Sequence, residues 1–130
     1  MEATRIKALL ERCYLNGALN EMNTEAMKEG YHPDFAIFFA DGAALQKLPL
    51  RDWISMVETF KQTQPHSSLR TFSHEFLQID VTGNAAFVKL NLYRNATLIF
   101  TDYITLLKFD GSWKIVTKIY HAYVENPWAL

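Results

Sequence analysis

The sequence predicts a single α+β domain: a curved antiparallel sheet wrapped around helices that come first in the chain. Three observations predict it. Apolar residues recur at helical spacing until about residue 60, and at a spacing of two thereafter. The pair Asp110-Gly111 separates two alternating runs, and both residues tolerate the positive φ of a type I′ hairpin turn. With 130 residues the chain is long enough for one real core and too short for two, so residues 1–130 form one domain.

Taking the elements in order, Ile6, Leu9, Leu10, Cys13, Tyr14 and Gly17 form the apolar stripe of a helix over about residues 3–19. Asn23 is a good N-cap for a second, short helix, with Met22 and Met27 placed for a hydrophobic staple and Gly30 at its end. His32-Pro33-Asp34 forces an extended exit, since proline disfavours helix in the residue before it. Residues 35–40 read as a largely buried strand, and Asp41-Gly42 as a turn. Pro49 stands where a first helical residue belongs, Leu50, Trp53, Met56, Val57 and Phe60 carry the stripe of a third helix, and Pro65 closes it. Strands are expected near 69–81, 85–94, 98–109 and 113–124, and tight turns make neighbours antiparallel. Long strands twist, so the sheet should curl round the helices into a cone-shaped α+β barrel with an interior cavity.

The order helix, short helix, His32-Pro33-Asp34, strand, Pro49 helix and meander resembles the nuclear-transport-factor-2-like superfamily, with its cystatin-like curved sheet. Within it, residues 100–107 (FTDYITLL) followed by 113–121 (WKIVTKIYH) look like the "putative lumazine-binding", SnoaL-like group. The resemblance implies an apolar pocket and homodimers packed through the outer sheet face. It spans both enzymes and non-catalytic binding modules, because a fold does not fix an activity. Ketosteroid isomerases share the layout and use a helix-one tyrosine, a strand carboxylate and a second, protonated acid. Tyr14 matches the tyrosine, but Phe39 stands at the base position and Thr105 at the second acid, so the resemblance does not carry that chemistry over.

Alternation sorts the last two strands into faces. Trp113 and Phe109, the bulkiest residues near the turn, are taken as inward. On that choice Tyr14, Phe39, Trp53, Tyr103, Thr105, Trp113 and His121 line the pocket. Asp102, Ile104, Leu106, Val116, Lys118 and Tyr120 then form an apolar-centred outer face suited to a two-fold homodimer. A few convergent polar groups in an apolar cavity is how small-molecule sites are built. Buried Tyr and His also commonly just satisfy one another, so Tyr14 and His121 carry a purely structural alternative.

Other chemistry is poorly supported. The net charge is −1 with signs interleaved, which excludes the basic footprint of nucleic-acid binding. No stretch has the length of a membrane span. The single cysteine, Cys13, allows no intramolecular disulfide and reads as a small core residue; with no secretion signal, a cytoplasmic location is expected. His32, His66, His74 and His121 form no helical pair, and neither a metal nor a cofactor is implied. Asn95-Ala96-Thr97 matches a glycosylation acceptor but is read as a turn. The expectation is a homodimeric small-molecule-binding domain for an unknown hydrophobic ligand, with an aromatic-lined pocket. One alternative is an isomerase, dehydratase or cyclase on a hydrophobic carbonyl compound, with His121 or Asp41 as base and Tyr14 as donor. The other is a protein-interaction module using the outer sheet or the Trp128 tail.

Overall fold

A computed structural model describes residues 2–64 and 71–127. The expectations for Pro65, His66, the start of the strand at 69 and the Trp128 tail lie outside the described residues. Helices α1 (Glu2–Leu10), α2 (Thr24–Gly30) and α3 (Leu50–Thr63) lie against one face of a six-stranded, unclosed sheet. Its strands are β1 (Tyr31–Asp41), β2 (Ala44–Pro49), β3 (Ser73–Thr82), β4 (Ala85–Arg94), β5 (Thr97–Phe109) and β6 (Ser112–Ala122), in the order β2-β1-β6-β5-β4-β3. This is the expected α+β cone. The meander is antiparallel throughout, and the β1–β6 pair, which joins the two halves, is parallel.

Several local choices follow directly from the residues. Asn23 Oδ1 accepts the backbone N–H of Ala26 at 3.2 Å, capping α2, and Met22 and Met27 are both buried. Helix α2 ends at Gly30, for a packing reason rather than a left-handed cap. A Cβ there would come within 2.6 Å of the Cys13 Cβ, so glycine lets α2 sit directly on the first helix. Asp110 and Gly111 have φ of +48° and +83°, the backbone of a type I′ turn. Pro49 is the N-cap of α3 and Leu50 its first helical residue.

Two elements differ from expectation. Residues 44–49 form a strand, β2, which hairpins onto β1 through Gly42; its Leu45, Gln46 and Lys47 are all exposed, so no alternation marked it. The first helix also changes character. After Leu10 it widens into a π segment (Glu11–Asn20), in which the N–H of Glu21 donates to the carbonyl of Asn16. Asn20 anchors the end of that segment by exchanging two hydrogen bonds with the backbone of Phe72, at 2.8 and 3.2 Å.

Candidate functional site

The first helix is covered from more than one side, so within the π segment Cys13, Tyr14 and Leu15 are all buried: Cys13 lies against Gly30 of α2, and Tyr14 points into the cone. Burial also holds the Cys13 thiol above its ordinary pKa.

The last hairpin supplies the remaining polar groups. Its two-residue turn pairs Phe109 with Ser112, so Trp113 lies opposite Lys108 and shares a face with it. Even-numbered residues of β5 therefore face inward: Leu106, Ile104 and Asp102. In β6 the register slips by one between Ile115 and Thr117, with Val116 as the extra residue of a β-bulge. Trp113 and Ile115 face inward before the bulge, and Lys118 and Tyr120 after it.

These elements enclose a cavity of about 400 Å³, the size of a small-molecule site. Leu19, Ile37, Leu48, Leu92 and Phe100 give it apolar walls, with Trp53, Phe39, Met56 and Phe60 toward α3 and the β1–β2 hairpin. Its polar groups form one connected chain. The Lys118 Nζ donates to the Tyr14 hydroxyl at 3.0 Å, and that hydroxyl donates to Asp102 Oδ2. Asp102 is 1% exposed and Lys118 9%. Desolvation pushes the Asp102 carboxyl above its ordinary pKa, against the opposing pull of the Lys118 charge and the Tyr14 hydrogen bond. Burial, helped by the Asp102 charge, likewise raises the Tyr120 hydroxyl. Around Lys118 three rings gather, with centroids 4.6 Å (Tyr14), 5.1 Å (Trp53) and 5.5 Å (Tyr120) from Nζ. A carboxyl, a phenol and an amine in an apolar cavity can exchange protons and stabilise developing charge on a carbonyl oxygen.

Of the expected pocket residues, the structure brings Tyr14, Phe39 and Trp53 to the cavity. Trp113 is buried on the inner face but lies away from the cavity, donating its indole N–H to Glu2 at 2.8 Å beneath Lys108. Tyr103, Thr105 and His121 are on the outer face. Tyr103 stacks on Phe87, Thr105 is hydrogen-bonded to Thr117, and His121 packs edge-on against Tyr123. Asp41 is exposed at the tip of the β1–β2 hairpin and does not reach the cavity. The expected outer-face set is corrected in the same way: Asp102, Ile104, Leu106, Lys118 and Tyr120 face inward, and Val116 is the half-buried bulge residue. Phe109 and Trp113 do not share the inner face as expected: the two-residue turn pairs Phe109 with Ser112 and so puts the two on opposite faces, a constraint already present in Asp110-Gly111. The bulge left no such signal. Among the described residues no cluster of metal-ligating side chains occurs, and His32 Nδ1 accepts the backbone N–H of Asp34 at 3.0 Å.

A solved NTF2-like protein of unknown function from Shewanella baltica OS155 superposes with a TM-score of 0.75 at 24% identity, covering 95% of both chains. Another, from Methylobacillus flagellatus KT, gives 0.68 at 27% identity over 95% of this chain and 93% of that one. Among characterised proteins, "Aldolase FrzH" from a Cladobotryum species is 28% identical over 117 residues, covering 85% of this chain and 84% of its own. The family model described as "Putative lumazine-binding" matches residues 2–121, nearly the whole of the cone and its cavity, and the chain belongs to that family of NTF2-like domains.

Proposed function

We propose that the cavity binds a small, mainly apolar carbonyl compound and moves a proton at the carbon next to the carbonyl. The observation that carries this reading is the buried Asp102 carboxyl, fixed through Oδ2 by the Tyr14 hydroxyl at the wall of an apolar cavity. Its other oxygen, Oδ1, exchanges the proton, and its raised pKa makes the ionised form a stronger base than an exposed aspartate. The Lys118 Nζ, on the same side of the cavity, stabilises charge that develops on the carbonyl oxygen. The relative named an aldolase supports this chemistry, because aldol addition begins with loss of such a proton. The test is incorporation of deuterium from D₂O into cyclic ketones such as cyclohexanone, followed by NMR. Asp102→Asn should slow exchange by about a hundredfold or more; equal exchange in wild type and variant overturns the reading.

The family description also supports a binding domain without turnover. In that case the ketones bind, seen as saturable chemical-shift changes, while deuterium incorporation stays at the solvent rate.

The outer sheet face supports a two-fold homodimer. It carries Ile119, 52% exposed, and Tyr123, 50% exposed, beside Leu107 and Tyr103. Light scattering on a gel-filtration peak should give a dimer mass for the wild type and a monomer mass for Ile119→Lys. A monomeric wild type removes this assignment.

A further inference from the structure

Lys118 stands at one end of a directed hydrogen-bond chain. Its Nζ donates to the Tyr14 hydroxyl, and that hydroxyl donates to Asp102 Oδ2. Shifting one proton along each bond leaves a neutral amine, an intact phenol and a neutral carboxylic acid, with no change in net charge. Burial favours that arrangement over a separated ion pair, because low dielectric penalises both charges. The nitrogen so released faces the cavity inside a cage of three aromatic rings. Those rings stabilise positive charge at that nitrogen whether the cation is an ammonium or an iminium.

Resting on the carbonyl-binding reading above, we propose that Lys118 is a nucleophile that joins its carbonyl ligand as an imine, with Tyr14 relaying its proton to Asp102. The neutral Nζ attacks the carbonyl carbon, the C–N bond forms, and the π pair moves to oxygen. That oxygen takes up the proton parked on Asp102 and a second from the nitrogen, leaving as water. Overall, amine plus carbonyl gives imine plus water, with no oxidant or reductant. Protonated, the imine places its charge where the ammonium was, within the same cage. Asp102, ionised again, then removes the neighbouring carbon's proton to give the enamine. The ligand class narrows to aldehydes and ketones with an unhindered carbonyl on an apolar body, 1,3-diketones included.

The test uses the whole chain and two probes. With 2,4-pentanedione the wild type should develop the near-ultraviolet band of a conjugated enaminone, and peptide mapping should place the added mass on Lys118. With cyclohexanone and cyanoborohydride the same peptide should be alkylated. Lys118→Arg, which keeps the charge and lacks the nucleophile, should give neither product. Tyr14→Phe should form the band about a hundredfold more slowly at neutral pH, with the deficit shrinking as pH rises and solvent takes the proton. Labelling of exposed lysines with Lys118 untouched overturns the proposal, as does a band that survives in Lys118→Arg or a Tyr14→Phe rate equal to wild type. The wild-type peptide map decides the matter even if a variant misfolds. Deuterium exchange without a Lys118 adduct removes the imine and leaves proton transfer standing; an adduct without exchange does the reverse.

Discussion

The two faces of the β5–β6 hairpin carry similar residues under opposite conditions. On the inner face Asp102 and Lys118 are linked through Tyr14, amid Ile104, Leu106, Ile115 and Trp53. On the outer face half-buried Thr105 meets half-buried Thr117, and His121 lies open to solvent beside Tyr123. Outer-face groups that lose a partner can turn to water. Inner groups cannot, so each depends on the others for its solvation. Ionisable residues on the same two strands therefore differ in what they can do, and the difference comes from position rather than type.

The comparison can be broken most directly by truncation. Asp102→Ala removes the acceptor of the Tyr14 hydroxyl and the carboxyl that balances the Lys118 amine, and should cost about 3–5 kcal/mol in urea denaturation. His121→Ala on the outer face should stay within about 0.5 kcal/mol. Equal costs would abolish the distinction. A smaller effect is expected from deleting Val116. Removing the extra residue leaves Ile115 and Lys118 inward, so the fold should persist with a loss of about 1–3 kcal/mol. A deletion variant that no longer folds would mean that the bulge, not alternation, sets both faces.

Titration sharpens the same contrast. The Asp102 carboxyl binds its proton more tightly folded than unfolded. Between the two pKa values the native state holds the extra proton, so the contribution is full below the ordinary carboxylate range. It is lost as pH rises through the raised folded value. The stability difference between wild type and Asp102→Asn should drift in that direction across the acid-to-neutral range. A flat difference sinks the desolvation argument. A small gain in stability is expected at the β4–β5 turn, where Ala96 has φ of +65°. Ala96→Gly should relieve that strain and stabilise the fold by about 1 kcal/mol, without altering deuterium exchange; destabilisation would mean that the turn is held by contacts of the methyl group.

Much of this molecule was legible in its sequence. Period, proline placement and Asp110-Gly111 predicted the helices, the meander and its antiparallel pairing. Helical spacing placed Tyr14 and Trp53, and the family resemblance placed Phe39, where the cavity lies. Asp102 and Lys118 were visible as residues but assigned to the wrong face. Phe109 is bulky enough to pass for core, yet it lies half open beside His32. Strand β2 escaped because neither of its faces is consistently buried before Leu48. The π segment left no trace, since its stripe resembles that of an ordinary amphipathic helix.

One junction bears on how a ligand gets in. Strand β2 ends at Pro49 and α3 begins at Leu50, with no connecting loop. Phe39 and Leu48 line the cavity from the hairpin side, and Met56 and Phe60 from the helix side. The two sides of this edge, where Phe39 and Met56 are 38% and 57% exposed, thus belong to one uninterrupted piece of chain. A ligand too bulky for the gap would have to move α3 and the sheet's border strand together.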